Sequence, residues 1–490
     1  MSGKNLWVVL AAFILAVLVV AGYFILFGER EAAPVFSSES PMPSPTLSST
    51  ASPTPTATPK PTPDFRVLEA SRQAYLTGVD FFEQQEYAQA KASFMKVNPE
   101  DTENYAAAQE KLAQCNRAIL EDSLLKAREA MDKTHYIKAQ TILSEALKEL
   151  PDNPELTVAL NEAEDILNNP VLYEGPIYHV FFHSLIVYPE LCFTGDAMTQ
   201  GYNAWMTTVY EFKLMIQEMY DRGYILVDLA KLFGKDESGK TVVNPLYLSK
   251  GKIPLVISID DVSYYEYMKD DGFAKRLVLD EKGEVATLVE TPEGEEIITR
   301  DGDVMPILDD FVKENPDFSL NNAKGTLALT GYEGMLGYNV RKVNPDWEKE
   351  AAEAKKIVEI MKANGWSFAN HSYTHRSTFK DRTITLDYLS YDCRKWKEEI
   401  GSIVGETHIF ISPFGAQFPD KDARLDYIID QGFYVYCGVG SRAYYTNKGN
   451  YVFMERINLD GFKMTKSPKV LEPFFDVEKV YDPVRPPANY

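Results

Sequence analysis

From Pro176 to about residue 465, short apolar runs of strand length alternate with amphipathic stretches of helical length. This alternation constrains the fold more than any other feature of the chain. Ile177–Phe182 reads as a buried strand ending at His183, and Tyr224–Val227, Ile253–Ile259, Thr326–Leu329, Ser367–Ala369, His408–Ile411 and Tyr434–Tyr436 read as later strands. Thr207–Asp221 reads as a helix with Phe212, Met215, Ile216 and Met219 on one face and Gly223 as its stop. A second helix opens after Asn344-Pro345, where Asn suits the N-cap and Pro the first helical position, and ends near Gly365. Further helices are expected over Leu386–Ile400 and Ala423–Gln431. Strand–helix units repeated over roughly 290 residues predict a barrel-like parallel sheet of about six to eight strands.

The residues before this region divide by composition. Leu6–Phe27 is an almost wholly apolar run of 22 residues, long enough to span a bilayer and longer than the core of a cleaved signal. With Lys4 before it and Glu29-Arg30-Glu31 after it, the run is expected to be a single-pass anchor in the cell membrane, its carboxyl side extracytoplasmic. Residues 1–5 form the cytoplasmic stub, 6–27 the anchor, and 28–64 a Pro/Ser/Thr-rich spacer too polar to bury a core. Residues 65–170 are Ala-rich and helical in periodicity. Tyr136, Ala139 and Leu143 repeat Tyr87, Ala90 and Phe94 at an offset of 49 residues, which resembles two degenerate tetratricopeptide-like hairpins with an extra helix between them. Such repeats offer a docking surface for a protein or glycan, or a plain stalk. The net charge of −22 argues against nucleic acid as a partner. The four scattered cysteines form no CxxC pair, and the sequence leaves open whether one disulfide forms.

The chemistry-bearing residues sit at strand ends. Ile253–Ile259 runs directly into Asp260-Asp261, and paired carboxylates at the carboxyl end of a buried strand are costly unless a cation or proton satisfies them. Consecutive side chains diverge, so one carboxylate can ligate a metal while the other accepts a proton. After Ser367–Ala369, the loop Asn370-His371-Ser372-Tyr373-Thr374-His375 carries two of the chain's six histidines four positions apart. Two imidazoles at that spacing face one ion if the loop coils for a turn, and imidazole suits zinc.

Ile-Asp-Asp after one strand and His-Ser-x-x-His after a later one resembles the first two motifs of the polysaccharide deacetylases, carbohydrate esterase family four or NodB-homology proteins. Ile411-Ser412-Pro413-Phe414-Gly415 resembles the third motif, with Ile411 where the family has arginine. The family's last motif, Leu-x-His, is absent, and Asn458-Leu459-Asp460-Gly461 stands in its place. Tyr178–Ser184 resembles the opening segment of the circularly permuted members similar to poly-N-acetylglucosamine deacetylases, and His183, rather than His179, fits the histidine otherwise supplied by that last motif.

The resemblance implies an α/β fold, a distorted (β/α) barrel over 171–465 with a probable insertion at 275–305 and a C-terminal tail at 466–490. It implies one divalent ion, zinc by donor type, held by Asp261, His371 and His375. Asp260 would be general base, His183 general acid, and the Phe414 N–H an oxyanion donor. The activity implied is removal of acetyl groups from N-acetylglucosamine-type residues of a wall or surface glycan. The alternative is a catalytically weakened glycan-binding or envelope-assembly protein that recognises through its repeats. Arg376 and Arg456 are the two arginines that can replace the one missing at Ile411. Asp261 and His371 stand 110 positions apart, and the excess includes Leu277–Arg300, with turns at Glu281-Lys282-Gly283 and Pro292-Glu293-Gly294. Tyr264, Tyr265, Tyr332 and Trp366 are candidates to line a sugar groove.

Overall fold

The structure is a computed structural model that describes residues 64–490. The expected membrane anchor, its stub and nearly all of the spacer lie outside the described residues. Among those described, no helix is long and apolar enough to cross a membrane.

The described chain opens with five helices, α1 (Phe65–Glu83), α2 (Tyr87–Phe94), α3 (Tyr105–Asp132), α4 (Tyr136–Glu149) and α5 (Pro154–Asn168), each packed on the next. Small residues set their approach: a Cβ on Gly78 would meet the Phe94 ring at 2.6 Å. The α1–α2 and α3–α4 turns are alike in detail. Gln85 and Thr134 both take positive φ (64° and 62°), and the following Glu86 and His135 donate to Phe81 and Ala130 carbonyls at 2.9 and 2.8 Å. The repeat at Tyr87 and Tyr136 is therefore a repeat of backbone shape as well as of side chains.

A parallel barrel follows. Its strands are β1 (Tyr178–Phe182), β2 (Tyr224–Leu226), β3 (Ile253–Asp260), then after an insertion β7 (Thr326–Leu329), β8 (Ser367–Asn370), β9 (Ile409–Ile411), β10 (Val435–Val439) and β11 (Val452–Asn458). Seven of them close a ring in the order β3-β7-β8-β9-β10-β11-β1 and back to β3. One edge of β3 serves two neighbours: β2 pairs its first half (Tyr224↔Ile253 to Leu226↔Leu255) and β7 its second (Thr326↔Ser258 to Ala328↔Asp260). The expected barrel-like α/β fold is thus present, closed by seven strands with β2 at the seam.

Strand alternation separates two cores. Leu255, Ile257, Ile259, Leu327, Phe368 and Phe410 join helix residues such as Phe212, Ile307 and Trp396 in one cluster. Val256, Ala328, Ala369, Ile411, Val435, Cys437 and Met454 form the other, which fills the barrel. The covering helices are α6 (Val209–Asp221), α7 (Val304–Glu314), α8 (Trp347–Ala363), α9 (Leu386–Trp396) and α10 (Ala423–Asp430). Two expectations need correction. The helix expected from Asn344 starts at Trp347, because Asn344 spends its side chain on the Asn339 carbonyl (2.7 Å) and the Asp346 N–H (3.2 Å). The helix expected to reach Ile400 ends at Trp396 and passes into one π-helical turn, Lys397–Gly401.

The insertion is a three-stranded antiparallel sheet, β4 (Ala274–Leu279), β5 (Val285–Glu290) and β6 (Glu296–Thr299), with Leu277, Val285 and Val289 buried. Residues 466–490, set apart as a tail, pack onto the barrel with Leu471, Phe474 and Phe475 buried. Arg485 forms a buried ion pair with Glu211 in α6 (Nε–Oε1 2.5 Å). All four cysteines are buried free thiols.

The helical array docks on the end of the barrel where β2 and β3 begin. The buried Asp317 carboxylate accepts the N–H groups of Ile137 and Lys138 (both 2.9 Å), supplying the first turn of α4 with an anion where the helix dipole favours one. His135 stacks on Tyr220 (ring centroids 3.6 Å apart), and the Tyr136 hydroxyl donates to the Lys250 carbonyl (2.7 Å). The Lys252 ammonium, donating to the Asp317 carbonyl at 2.7 Å, is depressed to about 8 by burial.

Candidate metal centre and acid–base groups

At the opposite end of β3 the chain reaches Asp260 and turns. Asp260 points into the barrel at 3% exposure, and Asp261 takes φ 59°, a left-handed conformation that aspartate tolerates better than most residues. The turn sends the two carboxylates in different directions.

Asp260 meets Arg456 of β11, which is 1% exposed and donates from both terminal nitrogens at 2.7 and 2.9 Å. Burial alone would raise the Asp260 carboxyl, but the charges of Arg456 and His371 more than offset it and hold the group well below the usual carboxylate range. Arg456 is itself fixed: it lies over the Phe181 ring at 4.1 Å and donates to Ser258 Oγ at 3.2 Å. Ser258 in turn contacts His179 Nε2 at 2.9 Å, so His179 belongs to the layer beneath Arg456. Of the two replacement arginines, Arg456 occupies the place. Arg376 lies over the Tyr388 ring at 4.7 Å instead.

Asp261, His371 and His375 come together with ligand atoms all within 4.8 Å of one another. His371 Nδ1 lies 2.7 Å from the Ile411 carbonyl. A carbonyl only accepts, so Nδ1 carries the proton and Nε2 presents a lone pair to the cluster. The backbone at Ile411 thus orients the His371 ring toward the cluster. His375 Nε2 stands 3.8 Å from Asp261 Oδ2, and the other Asp261 oxygen accepts the Tyr265 hydroxyl at 2.8 Å. Tetrahedral zinc with bonds near 2.0 Å needs donors about 3.3 Å apart, so small side-chain rotations complete a three-donor set with an open position. Two imidazoles and a carboxylate fit that ion.

The His371–His375 loop is shaped by a residue that sequence reasoning missed. Asp392 of α9 accepts Ser372 Oγ (2.9 Å), the N–H groups of Tyr373 (2.9 Å) and Thr374 (2.8 Å), and Thr374 Oγ1 (2.6 Å). Within this bonded loop Ser372 and His375 take φ 64° and 44°, and the His375 ring stands beside Asp261. Burial keeps the Asp392 carboxyl above its ordinary value even with those donors. In the sequence Asp392 looks like any polar helix residue, and no local signal marks it.

His183, half-buried just past β1, lies close enough to Asp260, Asp261 and Asp460 for its charge to act on all three carboxyls. Asp460 stands in the region where the family's last histidine is missing. It is buried, accepts Asn458 Nδ2 (2.6 Å) and the Lys463 N–H (2.7 Å), and is pushed up by burial. Phe414 sits at the rim, 48% exposed, with φ 56° and its ring 4.5 Å from that of His375.

Among the aromatic candidates, Tyr265 is stacked between Tyr332 (4.9 Å) and Tyr267 (5.5 Å) beside Asp261. Trp366 is excluded from the groove: it is buried before β8, at the opposite end of the strand from the His371 loop, with Nε1 on Asp309 (2.9 Å).

No family model, curated protein or solved structure gives a significant match to this chain.

Proposed function

We propose that this chain is a zinc-dependent N-deacetylase of the NodB-homology type, membrane-anchored and extracytoplasmic, acting on N-acetylglucosamine-type residues of a wall or surface glycan. The observation that carries the reading is the Asp260–Arg456 pair set directly beside the Asp261/His371/His375 donor set, with His183 in the same neighbourhood. Asp260 is kept ionised and is therefore able to take the proton of the attacking water. Arg456 orients it and keeps it ionised before water attacks. A divalent ion, which Asp261, His371 and His375 would hold, would supply Lewis acidity and acidify a water beside it. His183 hands a proton to the nitrogen as the C–N bond breaks, so the products are acetate and a free amine. The Phe414 N–H is assigned to the oxyanion. Tyr265 is itself buried at 3% exposure, and it is Tyr267, stacked on it and 48% exposed, that gives the rim a flat apolar face suited to a sugar ring.

The test is acetate release by the full chain, loaded with zinc, from chitooligosaccharides and acetylated wall glycan. Asp260→Asn and His183→Asn should each lower kcat by about 10²-fold or more with the metal retained. Asp261→Asn should lose metal and activity together. A fully loaded protein that releases no acetate from any of these glycans overturns the reading.

A further inference from the structure

The insertion ends at a buried carboxylate that neither the metal set nor the acid–base pair uses. Asp303 follows β6, is fully buried, and caps α7. Its Oδ1 accepts the N–H of Val304 (2.8 Å) and of Leu185 (3.0 Å), and its Oδ2 accepts the Tyr264 hydroxyl (2.7 Å). Leu185 lies two residues past His183. Tyr264 lies three past Asp261 and is itself held at φ 53°. One side chain therefore ties together the loops that carry the two sides of the mouth.

Helix capping does not account for this residue. Asn or Ser caps a helix as well as Asp, without placing a charge in the interior. Among the described residues no cation forms an ion pair with the carboxylate: its hydrogen-bond donors are the Tyr264 phenol and the two N–H groups, and burial outweighs them, pushing the carboxyl up to about 6. A buried unpaired anion is retained at a cost, and what it uniquely supplies here is three accepted bonds across two loops.

We propose that Asp303 is a positioning residue that, through Leu185 and Tyr264, fixes the His183 loop against the turn after Asp261 and so sets the reach of the general acid. The assignment of His183 as acid rests on the function proposed above; the latch itself does not.

The experiment uses the full chain and reads amide exchange in segment 183–188, corrected for intrinsic rates, from about pH 5 to pH 8. Metal content and acetate release are measured on the same samples. In the wild type the buried carboxyl binds its proton more tightly closed than opened to solvent, so protection of the segment should rise as pH drops from above 6 toward 4. Asp303→Asn should abolish that break and lower kcat about tenfold or more, with KM and metal content unchanged. Tyr264→Phe removes one donor to the carboxylate while the acid remains, so its break should move to higher pH. A break that stays in Asp303→Asn, or does not move in Tyr264→Phe, overturns the proposal. A wild type that shows the break yet releases no acetate sustains the latch and overturns the deacetylase reading.

Discussion

Arg456→Met is the sharpest perturbation this barrel offers. The substitution keeps an unbranched side chain over Phe181 and removes the only cation bonded to Asp260. Two charge-assisted bonds at 2.7 and 2.9 Å are lost, and the carboxylate is left 3% exposed with the neutral His371 Nε2 at 3.7 Å. Breaking a buried pair by removing one member costs about 3–5 kcal/mol, a third or more of a typical domain's stability. In the wild type the Asp260 carboxyl is depressed, so its contribution is present throughout neutral pH and is lost only in strong acid. Without Arg456, burial dominates and the carboxyl rises above its unfolded value. The sign then reverses: the variant is weakest at neutral pH and recovers as pH falls toward about 4. Urea unfolding at about pH 7 and pH 4 checks this. The double variant Asp260→Asn, Arg456→Met should return to within about 1.5 kcal/mol of wild type, because no charge is then left buried. A single-variant loss under about 1 kcal/mol, additive with that of Asp260→Asn, would refute the reasoning.

Other outcomes follow from the same geometry. The chelator-stripped chain should take up about one zinc ion per chain, with Tm rising as zinc is added, and His371→Ala should do neither; elemental analysis and thermal melts read both. Asp392→Asn removes an acceptor from the ligand loop and should weaken zinc affinity about 10–100-fold in a competition titration without changing the donor set. The Asp303 carboxyl is raised in the folded state, so it should take about 3 kcal/mol from wild-type stability as pH rises from 4 to above 6, and Asp303→Asn should lose that part of the pH dependence and be more stable near pH 7.5. Truncation after Val480 leaves Glu211 buried without Arg485 and should cost about 3–5 kcal/mol in unfolding measurements.

The strands were legible because each is a compact apolar run bounded by Gly, Pro or polar residues, and the three donors because two come from one loop and the third ends a strand. The order in which the strands stand side by side was not. Arg456 lies 196 positions from Asp260 and reaches it only because β11 and β3 both flank β1, a neighbourhood that periodicity does not encode. Asp392 and Asp303 were invisible for a related reason. Each is one Asp among many in a chain with 72 acidic residues, and its role lies in backbone donors that become adjacent only when loops fold. Asn344 misled because a good capping sequence competes with turns that use the same side chain. Trp366 misled because a single aromatic carries no sign of which end of a strand it lies near.

The junction of Asp317, His135 and Tyr220 has a consequence for scale. It fixes the helical array to the start of β3, while the metal donors sit at the finish of that same eight-residue strand. A strand of that length is about 25 Å of stiff backbone with no joint in it. The array is therefore held at a constant distance from the Asp261, His371 and His375 donors, and the barrel works as a ruler between the two.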